Sequence, residues 1–526
     1  MTTELTILGL VLGSLAVTAL CRRFGLSAPL VLVAVGLAVS LVPGVRDITF
    51  DPDVVLLLVL TPLLYSAALG SSYLNIRANA RPIALLAVGL VVFTAVVVGL
   101  VASRVVPGLS LAAGLVLGAV VAPPDAVSAL AVGRRLGLPR RVLTILGGES
   151  LVNDASALTL FRVFVAVAAG TGVTVAAAAG MFLLAAVGGT AVGLAMGWLV
   201  HRIRVRLDDP NIESALGLLV PFGVYLLAEG LHTSGLLAVV VAGLYLGFHA
   251  TESGYATRLQ DQAVWQASDT ILESVVFALI GLQLTAVVRQ AGAPIAELAA
   301  YGAAVTAATV LARPLWVFPA TYLQRALIPG LRQRDPSPPW RVPAVISWSG
   351  MRGVVTLAAA FAIPPQVPHR DTLVFLAFFV TVATLLLHGL TLPAVIRRLG
   401  VHDTSATADA LAEAQAQYAA AQASIARLDE LTAYEPDDSG VRHTAEKLRR
   451  LTEMRANSAW ERLGRPASEA GESPSAAYRR LRREMVARER SEFVARRDAG
   501  EIDDAVLRRV MRELDLEEAT LDRDAE

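Results

Sequence analysis

Up to about residue 400 the chain is a succession of apolar runs, most of them about 17–25 residues long. As helices, runs of that length match the roughly 30 Å hydrocarbon core of a bilayer. Backbone amides and carbonyls at that depth have no water to bond, so each run is expected to satisfy them internally as a helix. Thirteen spans are read, near 4–21, 27–43, 53–72, 82–103, 109–132, 143–169, 173–200, 211–230, 234–249, 264–288, 294–323, 341–363 and 371–396. The ninth is short. The chain is 55% hydrophobic, above the usual share for soluble domains.

The arginines test that count, because loops on the cytoplasmic side carry an excess of positive charge. One alternating set of loops holds Arg22–Arg23, Arg77 and Arg81, Arg134–Arg135 with Arg140–Arg141, Arg202, Arg204 and Arg206, Arg332 and Arg334, and Arg397–Arg398. The other set holds Arg46, Arg104, Arg289 and Arg370. A missed span would scramble the alternation. Thirteen crossings of the cell membrane, with the N-terminus outside and the C-terminus in the cytoplasm, is the consistent solution. The opening Met1-Thr-Thr-Glu-Leu lacks a basic stretch, so the first run reads as a retained span rather than a cleaved signal. The single cysteine, Cys21, excludes an intramolecular disulfide. Net charge is zero and no basic patch suggests nucleic acid.

The expected division is a membrane domain over 1–400 and a cytoplasmic helical tail over 401–526. Ala408 to Leu431 is rich in Ala, Glu and Gln at helical spacing, and from Arg442 the chain is dense in Arg and Glu. Gly464-Arg-Pro-Ala-Ser-Glu-Ala-Gly-Glu-Ser-Pro-Ser475 reads as a linker. The charge run reads as a solvated face.

Within the apolar region, two motifs carry chemistry. In Ala122-Pro-Pro-Asp-Ala-Val-Ser128, two prolines deep in a span remove amide donors and break the helix beside Asp125. Broken backbone at membrane depth is tolerated where it lines a cavity, and its freed carbonyls can coordinate a cation. About twenty residues on comes Gly148-Glu-Ser-Leu-Val-Asn-Asp-Ala155. A carboxylate near the membrane centre costs roughly 2.5–3.5 kcal/mol, so it persists where it pairs, titrates or binds a cation. Ser150 and Asp154 share a helix face; Glu149 and Asn153 share another. Glu149 and Asp154 lie about 140° apart around the helix and should not do the same job. Asp154 is assigned to the ion, sodium in the first instance, with Ser150 as a supporting oxygen, since hard cations take oxygen ligands. Glu149 is assigned to a structural pair with a basic residue of another helix.

The second half supplies partners. Glu273 follows Asp269 by one turn, Arg313 sits in Val310-Leu-Ala-Arg-Pro, and Arg352 in Trp348-Ser-Gly-Met-Arg-Gly-Val-Val-Thr356. Glycines flanking a mid-span charge predict a second unwound helix. The broken fifth and twelfth spans then match if spans 1–6 and 8–13 are inverted repeats about span 7, the layout expected of midplane sites in secondary transporters. Arg313 and Arg352 are expected to neutralise Glu273 and Glu149, in an order the spacing leaves open. Glu229, His232 and Ser234 fall at the boundary of spans 8 and 9, where His232 reads as interfacial. No phosphate-binding loop, nucleophile elbow or metal-ligand spacing is found, so an enzyme or an ATP-driven pump is disfavoured and no cofactor is implied.

At these motifs the chain resembles the bacterial branch of the monovalent cation:proton antiporters, relatives of the NhaP and NHE sodium/proton exchangers. The resemblance also covers Arg134-Arg-Leu-Gly-Leu-Pro-Arg-Arg141 and Ala228-Glu-Gly-Leu-His-Thr-Ser-Gly235, in family order from about residue 55 to 400. It implies a thirteen-span inverted-repeat fold, a homodimer, and alternating access of a mobile core against a dimerisation scaffold. It further implies that Asn153 and Asp154 are the ion-binding pair, with the Pro124 carbonyl, Asp125 and Ser150 nearby, and that Glu149 and Arg352 form a structural pair. Family members often carry a glutamate in the third span where this chain has Ser66, so Ser66 or water would take over any ligand role.

A proton and a sodium or lithium ion competing for Asp154 would oblige exchange. Asn153 cannot titrate, which points to one-for-one electroneutral exchange. Potassium as the ion, or a transporter-derived sensor or channel, are the rival readings.

Overall fold

The computed structural model describes residues 2–42, 54, 56–170, 175–207, 209–291, 294–328, 330, 333, 335–403, 406–433, 440–463 and 474–523. The chain separates into two compact units, Met1–Asp403 and Thr404–Glu526. Every regular element among the described residues is a helix. Arg46, Arg332, Arg334 and most of the linker read at 464–475 lie outside the described residues.

The first unit begins with α1 (Thr2–Phe24), α2 (Ala28–Ser40), α3 (Leu56–Leu69), the short α4 (Tyr73–Ala78) and α5 (Ala80–Val105). There follow α6 (Leu111–Val121), α7 (Ala126–Arg135), α8 (Arg140–Ala168), α9 (Val175–Arg204), α10 (Pro210–Gly230) and α11 (Gly235–Phe248). The unit ends with α12 (Tyr255–Gln290), α13 (Ile295–Leu327), α14 (Arg341–Trp348), α15 (Val354–Phe361) and α16 (Arg370–Leu399). Seven of these helices are long and apolar enough to cross a membrane, and α2, α3, α6 and α11 are shorter apolar helices. The two segments with a mid-span break, α6–α7 and α14–α15, are interrupted as their prolines and glycines predict. Spans ten and eleven are helices of 36 and 33 residues, longer than their apolar stretches because polar turns continue them.

Small residues set how closely the helices approach. A Cβ at Gly281 on α12 would lie 2.2 Å from the Val33 carbonyl oxygen of α2, and one at Gly118 on α6 would lie 2.1 Å from that of Ala95 on α5. The largest apolar core joins α5, α6, α8, α13, α15 and α16 around residues such as Leu117, Leu146, Val305, Leu373 and Phe378. A separate cluster joins α3 and α9–α12 around Tyr65, Val224, Val239 and Trp265. The second unit contains α17 (Ala406–Thr432), α18 (Gly440–Leu463), α19 (Pro474–Asp498) and α20 (Asp504–Arg523).

Between α13 and α14, Asp335 accepts from Arg141 of α8 at 2.8 Å and from Arg325 of α13 at 2.6 Å. Burial pushes its carboxyl up, but the Arg141 and Arg325 guanidiniums outweigh that and hold it below the usual carboxylate range. A depressed folded value stabilises the fold above the unfolded value of about 3.9, and that contribution is lost as pH falls through the folded value. Asp335→Asn should therefore lower stability by roughly 0.5–1 kcal/mol at neutral pH, given its partial exposure. The gap to wild type should close on acidification below about pH 3.9. Melting of the purified protein at both pH values checks this.

Candidate ion-binding site

The site is built where the two interrupted segments cross. Pro123 and Pro124 have no amide hydrogens, so α6 cannot continue past Ala122 and leaves carbonyls without helical partners. Arg352, in the unwound stretch between α14 and α15, supplies the donors. Its Nε donates to the Val121 carbonyl at 2.9 Å and its Nη2 to that of Ala122 at 3.3 Å, while Nη1 donates to Gly350. The backbone is tied in the other sense too: the Asp125 amide donates to Met351 at 2.7 Å, and the Arg352 amide to Thr384 Oγ1 of α16 at 3.1 Å. Gly353 makes this crossing possible. A Cβ there would fall 2.2 Å from Asp125 Oδ2.

Helix α8 passes this crossing and presents Glu149, Ser150, Asn153 and Asp154. Glu149 receives both terminal nitrogens of Arg313, Nη1 at 2.6 Å and Nη2 at 2.7 Å, and both side chains are almost wholly buried. Arg313 Nε donates to Ile346 of α14 at 2.9 Å. This corrects the pairing of Glu149 with Arg352 implied by the family resemblance; of the two orders the spacing leaves open, Arg313 takes Glu149. The fork of Arg313 matches the carboxylate and uses its third edge on a carbonyl, whereas the donors of Arg352 are taken by carbonyls of the two breaks. Among the described residues Glu273 forms no ion pair. It lines a cavity instead, one turn from Asp269.

That cavity, of about 990 Å³, gathers most of the residues picked out in the sequence. Asp154, Ser150, Asp125, Pro124 and Ser66 all contribute to its wall. Asn153 is buried beside it, with Nδ2 donating to the Pro124 carbonyl at 2.9 Å and Oδ1 lacking a hydrogen-bond partner. Glu149, Arg313 and Arg352 lie outside the lining. Ser66 Oγ donates to Asp269 Oδ2 at 2.6 Å, joining α3 to α12 across the cavity wall. Two lining groups escaped the sequence assignment. They are Thr356, four residues after Arg352, buried with an unpartnered hydroxyl, and Asp269, the partner of Ser66. Their signal was positional: Asp269 lies one helical turn from Glu273, and Thr356 lies in the first turn of α15, directly after the unwound stretch that holds Arg352. The arrangement offers carboxylate, amide and hydroxyl oxygens at the end of a solvent-sized opening, the donor set of a hard monovalent cation rather than of a transition metal.

The model of the sodium/hydrogen exchanger transmembrane family matches residues 8–398. A protein of Mycobacterium tuberculosis described as an uncharacterised Na+/H+ exchanger is 34% identical, over 98% of this chain and 95% of its own. A sodium, potassium, lithium and rubidium/H+ antiporter of Bacillus pumilus is 30% identical, over 69% of this chain and 57% of its own. In fold, the chain is similar to the sodium proton antiporter MjNhaP1 of Methanocaldococcus jannaschii, with a TM-score of 0.60 at 18% identity, over 76% of this chain and 99% of that one. The chain belongs to the sodium/hydrogen exchanger family, as a multi-pass membrane protein of the antiporter fold.

Removing either partner of a buried pair strands a charge, at about 3–5 kcal/mol. Glu149→Ala and Arg313→Ala should each cost that much, and the double variant should cost less than their sum. Arg352→Ala should also destabilise, with no relief from Glu149→Ala. Thermal melting of the three single and two double variants separates this pairing from the alternative one.

Proposed function

We propose that the chain exchanges Na+ for H+ through a single site at Asp154. The observation carrying this reading is the buried Asn153–Asp154 pair at the crossing, with Asn153 held to the Pro124 carbonyl that the proline break leaves free. Asp154 binds either the cation or a proton. Ser150, Asp125, the Pro124 carbonyl and, through water, Ser66 complete the oxygen set, and Thr356 adds a hydroxyl. Occupants that exclude one another at one carboxylate become exchange once the loaded site faces each side of the membrane in turn. The wide cavity on one side of Asp154 supports a state open to that side alone. Arg134 and Arg140 at its wall belong to the arginine-rich set of loops, which makes that side the cytoplasm.

The same reading takes the membrane unit as thirteen crossings in two inverted repeats about α9, in the cell membrane, with the N-terminus outside. It pairs two copies as a homodimer in the lipid bilayer and gives the cytoplasmic tail a regulatory role. Potassium, lithium or both are a second reading of the substrate, supported by the name of the Bacillus pumilus relative.

Asp154→Asn should abolish sodium–proton exchange in everted vesicles while leaving the melting temperature close to wild type. Exchange at the wild-type rate in that variant would overturn the assignment.

With Asn153 unable to titrate and Glu149 paired, one cation replaces one proton and no net charge moves. A 100 mV potential acts with about 2.3 kcal/mol on each net charge, so electrogenic exchange would respond to it strongly. Proteoliposomes with no sodium or pH gradient, polarised by potassium and valinomycin, should show no sodium accumulation once potassium transport has been ruled out. Accumulation would show that a second carboxylate titrates in the cycle, with Asp125 the first to test.

A further inference from the structure

The motif Leu227-Ala-Glu-Gly-Leu-His-Thr-Ser-Gly235 is left over by the ion site, yet it holds the far end of α8. Past Asp154 in the direction away from the cavity, α8 packs Ala155 and Leu158 in one cluster with Leu56 of α3 and Leu236 of α11. Two turns beyond Asp154, about 12 Å along the axis, stands Arg162. Its Nη2 donates to both carboxylate oxygens of Glu229, at 3.1 and 2.8 Å. Glu229, in the last turn of α10, also accepts the Gly235 amide at 3.1 Å, where α11 starts. The turn between them is tight: His232 has φ of +57°, and Ser234 caps α11 by accepting the Leu237 amide at 3.3 Å. One carboxylate thus binds α8, which carries the ion site, and both arms of the α10–α11 hairpin. The pocket beside this contact, bordered by Arg162, Glu229, Thr159, Tyr225 and Leu236, is about 10 Å³. That is at most room for a single water, against about 990 Å³ on the other side.

We propose that Arg162 and Glu229 form a releasable latch that closes the face of the ion site opposite the cavity and sets how often that face opens. The inference rests on the alternating-access reading above. For Asp154 to reach the far side, α8 must part from the α10–α11 hairpin along the line this pair crosses. The chemistry suits release. Arg162 and Glu229 are 45% and 28% exposed, so water solvates both once they separate. A pair this accessible is worth a modest population ratio rather than a permanent lock, about 2–5-fold. The contrast is with Glu149 and Arg313, which water does not reach. Arg162 and Glu229 are positioning residues: they touch neither the ion nor Asp154.

The test places a reporter thiol in the seal, Thr159→Cys with Cys21→Ala, and follows its labelling by a membrane-impermeant reagent applied to the side opposite the cavity. Labelling should accelerate about 2–5-fold in Arg162→Gln and in Glu229→Gln, and the double variant should be no faster than either single one. The apparent sodium affinities measured from the two sides should shift in opposite directions, a change that simple destabilisation does not produce. Arg162→Lys, which keeps the charge, should restore part of the wild-type rate and controls for folding. Labelling that is unchanged in the variants, or effects that add independently, would overturn the latch. The access reading fails separately: in a transporting protein with the latch intact, sodium should alter the labelling rate. If sodium changes nothing in any variant, alternating exposure is wrong and the latch falls with it; if sodium acts but the variants do not, the latch alone is wrong.

Discussion

Backbone that stops being helical inside a membrane has to find hydrogen-bond partners within the protein, and this requirement organises the site. The prolines at 123 and 124 free carbonyls at the end of α6, and Arg352 answers them with a guanidinium placed across Val121 and Ala122. The carbonyl end of a helix carries partial negative charge, so the same contacts compensate the buried cation. Because Arg352 sits in an unwound stretch of its own, two breaks satisfy each other. The Asp125 amide on Met351 and the Asn153 amide on the Pro124 carbonyl extend the arrangement to α8. Without the breaks the Pro124 carbonyl would be committed to its own helix, and the Asn153 side chain would lose its acceptor.

Two buried arginines serve this crossing by different physics. Arg313 meets a carboxylate, fork to fork, and the pair is neutral. Arg352 donates to backbone carbonyls, and among the described residues it forms no ion pair. That difference bears on the ion. On the proposed reading, a cation or proton at Asp154 would be balanced against a fixed background, because Glu149 is already committed to Arg313. A glycine at 350 lets the two cations stand together: a Cβ there would lie 2.8 Å from Arg313 Cδ and 3.0 Å from Arg352 Nη1.

The sequence made the breaks, the carboxylates and the apolar spans readable because each is a local fact. A proline pair removes amides wherever it occurs, and helical spacing places Ser150 and Asp154 on one face whatever surrounds them. Which arginine meets Glu149 is not local. It depends on the rotation and depth of α13 relative to α8, and spacing along either helix says nothing of that. The resemblance pointed to Arg352, while the fork geometry and the demand of the freed carbonyls put Arg313 there. Likewise, nothing near Ser66 announces Asp269, 203 positions away, as its partner. Arg162 drew no attention for the same reason, since an arginine near a span end reads as snorkelling until the fold sets Glu229 beside it.

The absence of a glutamate at position 66 does not leave the cavity without acid. Ser66 uses its one proton on Asp269 Oδ2, leaving Oδ1 unpartnered, and Glu273 follows one turn along the same wall. Carboxylates from α12 thus share the lining with Asp125 and Asp154, while arginines such as Arg134, Arg140 and Arg258 are also part of it. On the proposed reading, a cation passing such a wall would meet solvent and mixed charge first and held oxygens last. A hydroxyl donating to an acid holds that acid's rotamer without cancelling its charge, which a buried arginine would do. Ser66 is therefore better suited to orient a carboxylate toward the cavity than to replace one.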